Sequence, residues 1–279
     1  MKKVRFKDAH YIIFSKNRPM QLDLLVRSLQ SKIGPDRITV LISTTPKYKE
    51  GYLKFEQSNK NIEVIMENNF MKQVIEIVKS SDKDFISFLV DDIIFYKKPD
   101  RPYFNYSDSI VCFSPRIGLD HNYCHPAKSR YTPLRELGSC KTEDKIQYNW
   151  KWMGMPFDIG YPFSLDGNIF ESSIIKRSVL SCRPFSNPNT LEDSLVYFNP
   201  VIGQLKNKEM SCFEKSFLVN VPANRVNSTH PNLAGTEISY NEEDLQDLYL
   251  SGFIIDENKM DFSQINQSHQ EMEFVFVQM

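Results

Sequence analysis

Apolar and polar residues alternate in blocks along the first hundred positions. Tyr11-Ile12-Ile13-Phe14 is a short apolar run of β-formers and predicts a buried strand. Ser15-Lys16-Asn17-Arg18-Pro19 breaks that run. From Met20 to Leu29 the residues Leu22, Leu25, Val26 and Leu29 recur at helical spacing. The runs Ile38–Ile42, Ile62–Met66 and Phe85–Val90 predict three further strands. Helices around Tyr48–Gln57 and from Phe70 to Lys79 fall between them. Strands alternating with helices imply an α/β layer with a mainly parallel central sheet flanked by helices. Such sheets bind ligands outside the carboxyl ends of their strands. The polar clusters at those ends are Ser15–Arg18, Ser43–Thr45, Asn68–Asn69 and Asp91–Asp92.

After Pro99 the pattern loosens. Val111-Cys112-Phe113 predicts another strand. Residues 120–150 are polar with few periodic apolar positions and read as a long excursion of the functional or disordered kind. Order returns over Phe163–Phe170 and a helix near Ile174–Leu180. Asn187-Pro188-Asn189-Thr190 introduces a helix starting at Leu191, with Thr190 as its expected cap. Phe217–Val221 predicts a late strand and Asn241–Leu250 an acidic helix capped by Asn241 or Ser239. Met272–Val277 predicts a last strand. No linker splits the chain, so a single domain over 1–279 is expected.

Composition narrows the partners. Lys+Arg is 34 against 35 Asp+Glu in 279 residues, a net charge of −1, which excludes a general nucleic-acid binder with its basic excess. Only 10 glycines are present, and neither GxGxxG nor GxxxxGK[ST] occurs, so glycine-cradled nucleotide folds are disfavoured. Five scattered cysteines (Cys112, Cys124, Cys140, Cys182, Cys212) form no CxxC pair and predict free thiols in a reducing, cytoplasmic setting. His121, Cys124 and His125 match no zinc signature. The start of the chain lacks the apolar stretch of a signal peptide, and no span of about 18 apolar residues exists for a membrane crossing. Lys2 and Lys3 leave room for peripheral contact with an anionic membrane face.

The strongest chemical signal is Asp91-Asp92 at the end of a buried apolar run. Adjacent carboxylates repel and need a compensating cation, which a divalent metal bridging to phosphates would supply. A strand-end turn is the structural alternative.

Here the chain resembles nucleotide-sugar glycosyltransferases of the GT-A fold. Tyr11–Pro19 followed by a Leu-rich helix resembles their first nucleotide-binding turn, and Phe88-Leu89-Val90-Asp91-Asp92-Ile93 their aspartate motif. Phe113-Ser114-Pro115-Arg116 resembles a segment of exostosin-like transferases. Tyr161–Phe170 and Asn187–Glu192 resemble segments of bacterial transferases linked with surface polysaccharide. The likeness spans about residues 10–235. It implies a nucleotide-binding half over 1–100, an acceptor-side half over 101–235 and a C-terminal helix and tail over 236–279. The family's motif is often Asp-x-Asp, and Ile93 occupies the third position here. By the family's variant pattern Asp92 would hold a divalent cation (Mn²⁺ or Mg²⁺), with Asp91 facing the ribose or the sugar. A late histidine on the metal or diphosphate maps by position to His230.

Further roles follow from the donor such a site would take. Arg18 offers a charged fork for phosphate or base, and Ser15 a strand-end hydroxyl. Thr44, Asn69 and Lys72 are candidates for uracil and phosphate contacts, and Arg225 for the pyrophosphate. Asp193 or Glu192 is preferred narrowly over Asp166 as the carboxylate that deprotonates an acceptor hydroxyl. Trp150 and Trp152 could form a stacking wall for an acceptor sugar, or else be core. The expected function is transfer of a sugar, a hexosyl or N-acetylhexosaminyl group, from a UDP-linked donor to a hydroxyl of a glycan acceptor in polysaccharide synthesis. A sugar nucleotidyltransferase is the alternative, disfavoured because the first loop lacks a glycine-rich basic signature. A non-catalytic glycan-binding protein on the same fold is the other. A base at Asp193 would suit inversion, whereas the exostosin-like likeness points to retention.

Overall fold

The computed structural model describes residues 1–138, 140–141, 146–224 and 238–278. Seventeen strands occur among the described residues. The first eight are β1 (Lys2–Arg5), β2 (His10–Lys16), β3 (Arg37–Ser43), β4 (Glu63–Met66), β5 (Phe85–Val90), β6 (Ile93–Phe95), β7 (Tyr103–Tyr106) and β8 (Ile110–Phe113). Next come β9 (Tyr123–Cys124), β10 (Ser129–Arg130), β11 (Cys140–Lys141), β12 (Gln147–Lys151) and β13 (Ile169–Glu171). The last four are β14 (Glu209–Phe213), β15 (Leu218–Asn220), β16 (Phe253–Ile255) and β17 (Phe276–Gln278). The helices are α1 (Pro19–Lys32), α2 (Lys49–Ser58), α3 (Phe70–Ser80), α4 (Ser172–Ser181), α5 (Pro188–Tyr197), α6 (Ile202–Leu205) and α7 (Glu242–Leu250).

Nine strands form one mixed sheet in the order β11-β12-β14-β8-β13-β5-β2-β3-β4, drawing on both halves of the chain. Strands β5, β2, β3 and β4 are all parallel, as the alternation of strand and helix requires. Strand β13 enters antiparallel beside β5, and β12 lies antiparallel to β14.

The continuous apolar runs reflect cover on both faces of the sheet. Along β2, Ile12 and Phe14 join one core cluster, while Tyr11 and Ile13 join the other. The first cluster is closed by α3 and α4 through Phe70, Val74, Ile174 and Val179. The second is closed by α1 and α2 through Leu22, Leu25, Tyr52 and Phe55. A third cluster joins the far side of α1 (Met20, Leu24) to α7 and the C-terminal segment through Leu245, Tyr249, Ile255 and Phe274. Among the described residues no helix is long and apolar enough to cross a membrane.

Three local expectations are corrected. The supposed excursion over 120–150 contributes β12, a sheet strand that buries Trp150. Strand β14, which no strong pattern announces, is held between β8 and β12. Helix α5 begins at Pro188, not Leu191, and Asn187 is its cap. The Asn187 side chain accepts from the Thr190 amide at 3.0 Å, and Thr190 Oγ1 accepts from the Asn187 amide at 3.1 Å. Thr190 therefore closes a reciprocal capping box from the third helical position.

Candidate functional site

A cavity of about 920 Å³ opens at the carboxyl ends of β2, β3 and β5. Its wall includes Phe14, Lys16, Ser43, Glu67, Phe70 and Asp92 from the strand ends, and Phe157, Tyr161, Asp166, Glu192, Asp193 and Tyr197 from later in the chain. Sequence reasoning placed the strand-end clusters on one edge, and Ser15, Arg18, Asp91 and Asp92 do meet there.

Most of that meeting faces inward. Ser15 Oγ donates to Asp91 Oδ2 at 2.9 Å and lies 2.7 Å from the Tyr52 hydroxyl. The Lys16 amide also donates to Asp91 Oδ2, at 2.9 Å. Arg18 Nη1 donates to Asp91 Oδ1 at 2.9 Å and to Asp92 Oδ2 at 3.3 Å. Its other nitrogens are taken by Asn224: Nε donates to Oδ1 at 2.7 Å, and Nη2 bonds the carbonyl oxygen. Arg18 is thus not an open fork. It is the compensating cation of the aspartate pair, buried with it. Asp91 and Ser15 also line the cavity, but their side-chain hydrogen bonds are spent on joining β2 to β5.

Asp92 is the most exposed of the three charged side chains, at 15% against 8% for Arg18 and 5% for Asp91. Burial, reinforced by Asp91 and Asp166 and only partly offset by Arg18, raises its pKa to about 6. Asn220, at the end of β15, donates from Nδ2 to Asp92 Oδ1 at 2.9 Å and to Asp166 Oδ1 at 3.2 Å. Two carboxylates therefore meet at one amide.

Asp166 belongs to a second network. Ser164 Oγ donates to Asp166 Oδ2 at 3.0 Å, and His269 Nε2 lies 3.0 Å from the same oxygen. Arg116 Nη1 lies 3.5 Å from it and 3.0 Å from Asp158 Oδ1. Burial alone would push Asp166 up, but His269, Arg116 and Ser164 outweigh it and hold the carboxyl well below the usual range. In return, and against its own burial, His269 is raised by Asp166. Glu192 behaves oppositely. Burial, with Asp166 as the next cause, raises it to about 7, and the Leu165 amide donates to its Oε1 at 3.1 Å.

The remaining expectations fare differently. Asn69 is the N-cap of α3, accepting from the Lys72 amide at 3.0 Å. Lys72 sits exposed on that helix beside Glu76, and Thr44 Oγ1 bonds the Thr45 carbonyl. None of the three lines the cavity. Trp150 and Trp152 are buried in the core, so neither is a stacking wall. Arg225 and His230 lie outside the described residues.

Sequence reasoning gives no role to Tyr52, Asn220, Asn224, Asp158 or His269, and it includes Arg116 and Ser164 only as members of motif segments. Asn220 alone carried a usable signal, as the one polar residue in the predicted strand Phe217–Val221.

The donor set can be tested against a divalent cation. Among the described residues no group of three or more His, Cys, Asp or Glu side chains could hold a metal. Asp92 offers hard carboxylate oxygens toward the cavity, in a pocket carrying surplus negative charge. That suits an ion taking one or two protein carboxylates and completing its shell with substrate phosphates and water.

No family model matches the chain. It is 26% identical over 193 residues to the bifunctional glycosyltransferase pgtA of Dictyostelium discoideum, an alignment covering 61% of this chain and 25% of that protein. The chain therefore spans about a quarter of the curated relative it matches. Among solved structures it is similar to S. aureus TarS residues 1–349 in complex with UDP (12% identity, TM-score 0.45, 75% of this chain and 59% of that one). It is also similar to the galactosyltransferase LgtC in complex with donor and acceptor sugar analogs (10% identity, TM-score 0.42, 86% and 95%). A cytidylyltransferase of Leptospira borgpetersenii gives 11% identity, TM-score 0.43, and 75% and 77% coverage.

Proposed function

We propose that the chain is a glycosyltransferase, moving a hexosyl or N-acetylhexosaminyl group from a UDP-linked donor to a glycan hydroxyl on the cytoplasmic side. The observation that carries this is one cavity joining the Asp91–Asp92 strand end to a separate set of carboxylates, Asp166, Glu192 and Asp193. The relative's description as a glycosyltransferase supports it. So do the free thiols Cys112, Cys124, Cys182 and Cys212, for the compartment.

Asp92 would hold the divalent cation, which when bound neutralises charge on the departing diphosphate. Lys16, exposed on the cavity wall, is the cation of the first loop placed for phosphate, since Arg18 is spent on the aspartates. Glu192 is the general base. Its pKa near 7 matches the task of accepting a hydroxyl proton at neutral pH. Asp166 is a poor base because His269, Arg116 and Ser164 stabilise its charged form. It stays ionised and offers fixed negative charge to the positive charge that develops at the anomeric carbon. Asp193, beside Glu192 on the same wall, binds acceptor hydroxyls.

Calorimetry with UDP, with and without Mn²⁺, tests the reading. Wild type should bind UDP more tightly with Mn²⁺, and Asp92→Ala should lose that gain. Equal Mn²⁺-dependent binding by Asp92→Ala would remove the cation assignment. A wild type that neither binds UDP nor turns over any nucleotide sugar would remove the transferase reading.

A further inference from the structure

Two aromatic rings on the cavity wall have no explanation in the fold itself. Phe157 is 38% exposed and Tyr197 67%, yet both line the cavity beside the carboxylates. Phe157 also has a φ of 50°, in the left-handed region that a residue with a side chain enters only at a cost. A strained backbone that presents an apolar ring to solvent persists only if its surroundings over-determine it.

The loop beneath is built to do that. Trp150 Nε1 donates to the Ile159 carbonyl at 2.8 Å. Arg116 Nη1 donates to Asp158 Oδ1 at 3.0 Å, on the residue next to Phe157. At Gly160 an added Cβ would come within 2.0 Å of the Met155 carbonyl oxygen, so the turn closes only on glycine. The Tyr131 ring supports Phe157 from one side, centroid to centroid at 5.9 Å. The two hydrogen bonds are buried and the Gly160 approach is backbone, and the exposed ring is what they deliver. Tyr197 arrives by another route, as the last residue of α5, one turn beyond Asp193 and so on the same face.

We infer that Phe157 and Tyr197 form the platform on which the acceptor's pyranose ring stacks, holding its hydroxyl toward Glu192. The assignment rests on the glycosyltransferase reading and adds the side chains that bind and orient the acceptor ring. A pyranose pairs an apolar C–H face with a rim of hydroxyls, and the wall pairs aromatic faces with the carboxylates of Glu192 and Asp193. A flat aliphatic acceptor would offer those carboxylates no hydroxyl, and a polyanionic one would be repelled by them. One tryptophan keeps a role under this assignment: Trp150 is the buried support of the loop that carries the stacking ring.

The test uses the full chain saturated with UDP and Mn²⁺, titrated with methyl β-glycosides of galactose, glucose and N-acetylglucosamine. Saturation-transfer NMR reads their ring protons. At least one glycoside should bind wild type, with saturation concentrated on the C–H protons of one ring face. Phe157→Gly and Tyr197→Ala should each weaken its Kd about tenfold, as for loss of a stacked ring. Phe157→Trp should keep it. Phe157→Gly also relieves the backbone strain, so its melting temperature should hold or rise, which separates lost stacking from lost fold. Equal binding by wild type and Phe157→Gly overturns the platform. So does loss in Phe157→Trp equal to that in Phe157→Gly, and so does failure of all three glycosides to bind a wild type that binds UDP. A wild type that binds no UDP brings down the transferase reading first, and this assignment with it.

Discussion

Arg18, Asp91 and Asp92 show how one residue's partner changes its meaning. Two adjacent carboxylates need a cation, and the fold provides one in a buried guanidinium pinned by Asn224. Removing it strands charge in a dry site, so Arg18→Ala should lower unfolding stability by about 3–5 kcal/mol in urea denaturation. Glu192 makes a second prediction. Its folded pKa, near 7, is raised above that of the unfolded chain. The folded state then binds more protons over the interval from about pH 4.3 to 7. Its contribution is present at low pH and lost as pH rises through that window. Glu192→Gln should therefore flatten the fall in melting temperature over that range. If Glu192 is the base, transfer activity should rise with pH through about 7, and Glu192→Gln should remove that limb with a loss of about 10²–10⁴-fold in kcat.

At the level of elements, the acceptor wall depends on how α5 and the Trp152–Tyr161 loop begin and end. Asn187 caps α5 and sets the phase at which Glu192, Asp193 and Tyr197 emerge. Asn187→Ala should cost about 1 kcal/mol of stability, read by thermal denaturation. Gly160→Ala should cost more, about 1–3 kcal/mol, because the new methyl meets backbone that cannot swing away. Strands β2, β3 and β5 were legible because each announces itself within half a dozen residues: buried on both faces, they are continuous apolar runs. Strand β14 was not, because Glu209-Met210-Ser211-Cys212-Phe213 becomes a strand through the neighbours that flank it. Helix α5 was found but started three residues late, since Asn187-Pro188 and Thr190 both carry start signals and only the reciprocal hydrogen bonds choose between them.

At the scale of the molecule, the C-terminal segment is part of the site. Asn220 donates its amide to the Ser268 carbonyl at 2.9 Å, and Gln270 donates to the Asn220 carbonyl at 2.9 Å. That stitching sets His269 against Asp166. Cutting the chain after Ser251 also strips the third core cluster of Ile255, Met260, Met272 and Phe274. The shortened chain should melt at a lower temperature, and the amides of β15 should exchange faster.

The sequence by itself determined the α/β alternation, the parallel half of the sheet and the edge on which its polar strand ends gather. Those features follow from local periodicity and from the geometry of strand–helix–strand connections. It also marked Asp91-Asp92 and Glu192-Asp193 as the carboxylates worth watching. Only the tertiary structure decided that Arg18 is the cation of the aspartate pair and that Glu192 is buried near Asp166. Arg18 meets Asn224 across 206 residues, and Asn220 meets Asp92 across 128. Asp166 meets His269 from a segment with no motif at all. Burial and charge pairing are properties of such meetings. No local pattern in the chain carries them, and they separate the tryptophan that supports a loop from the phenylalanine that the loop presents.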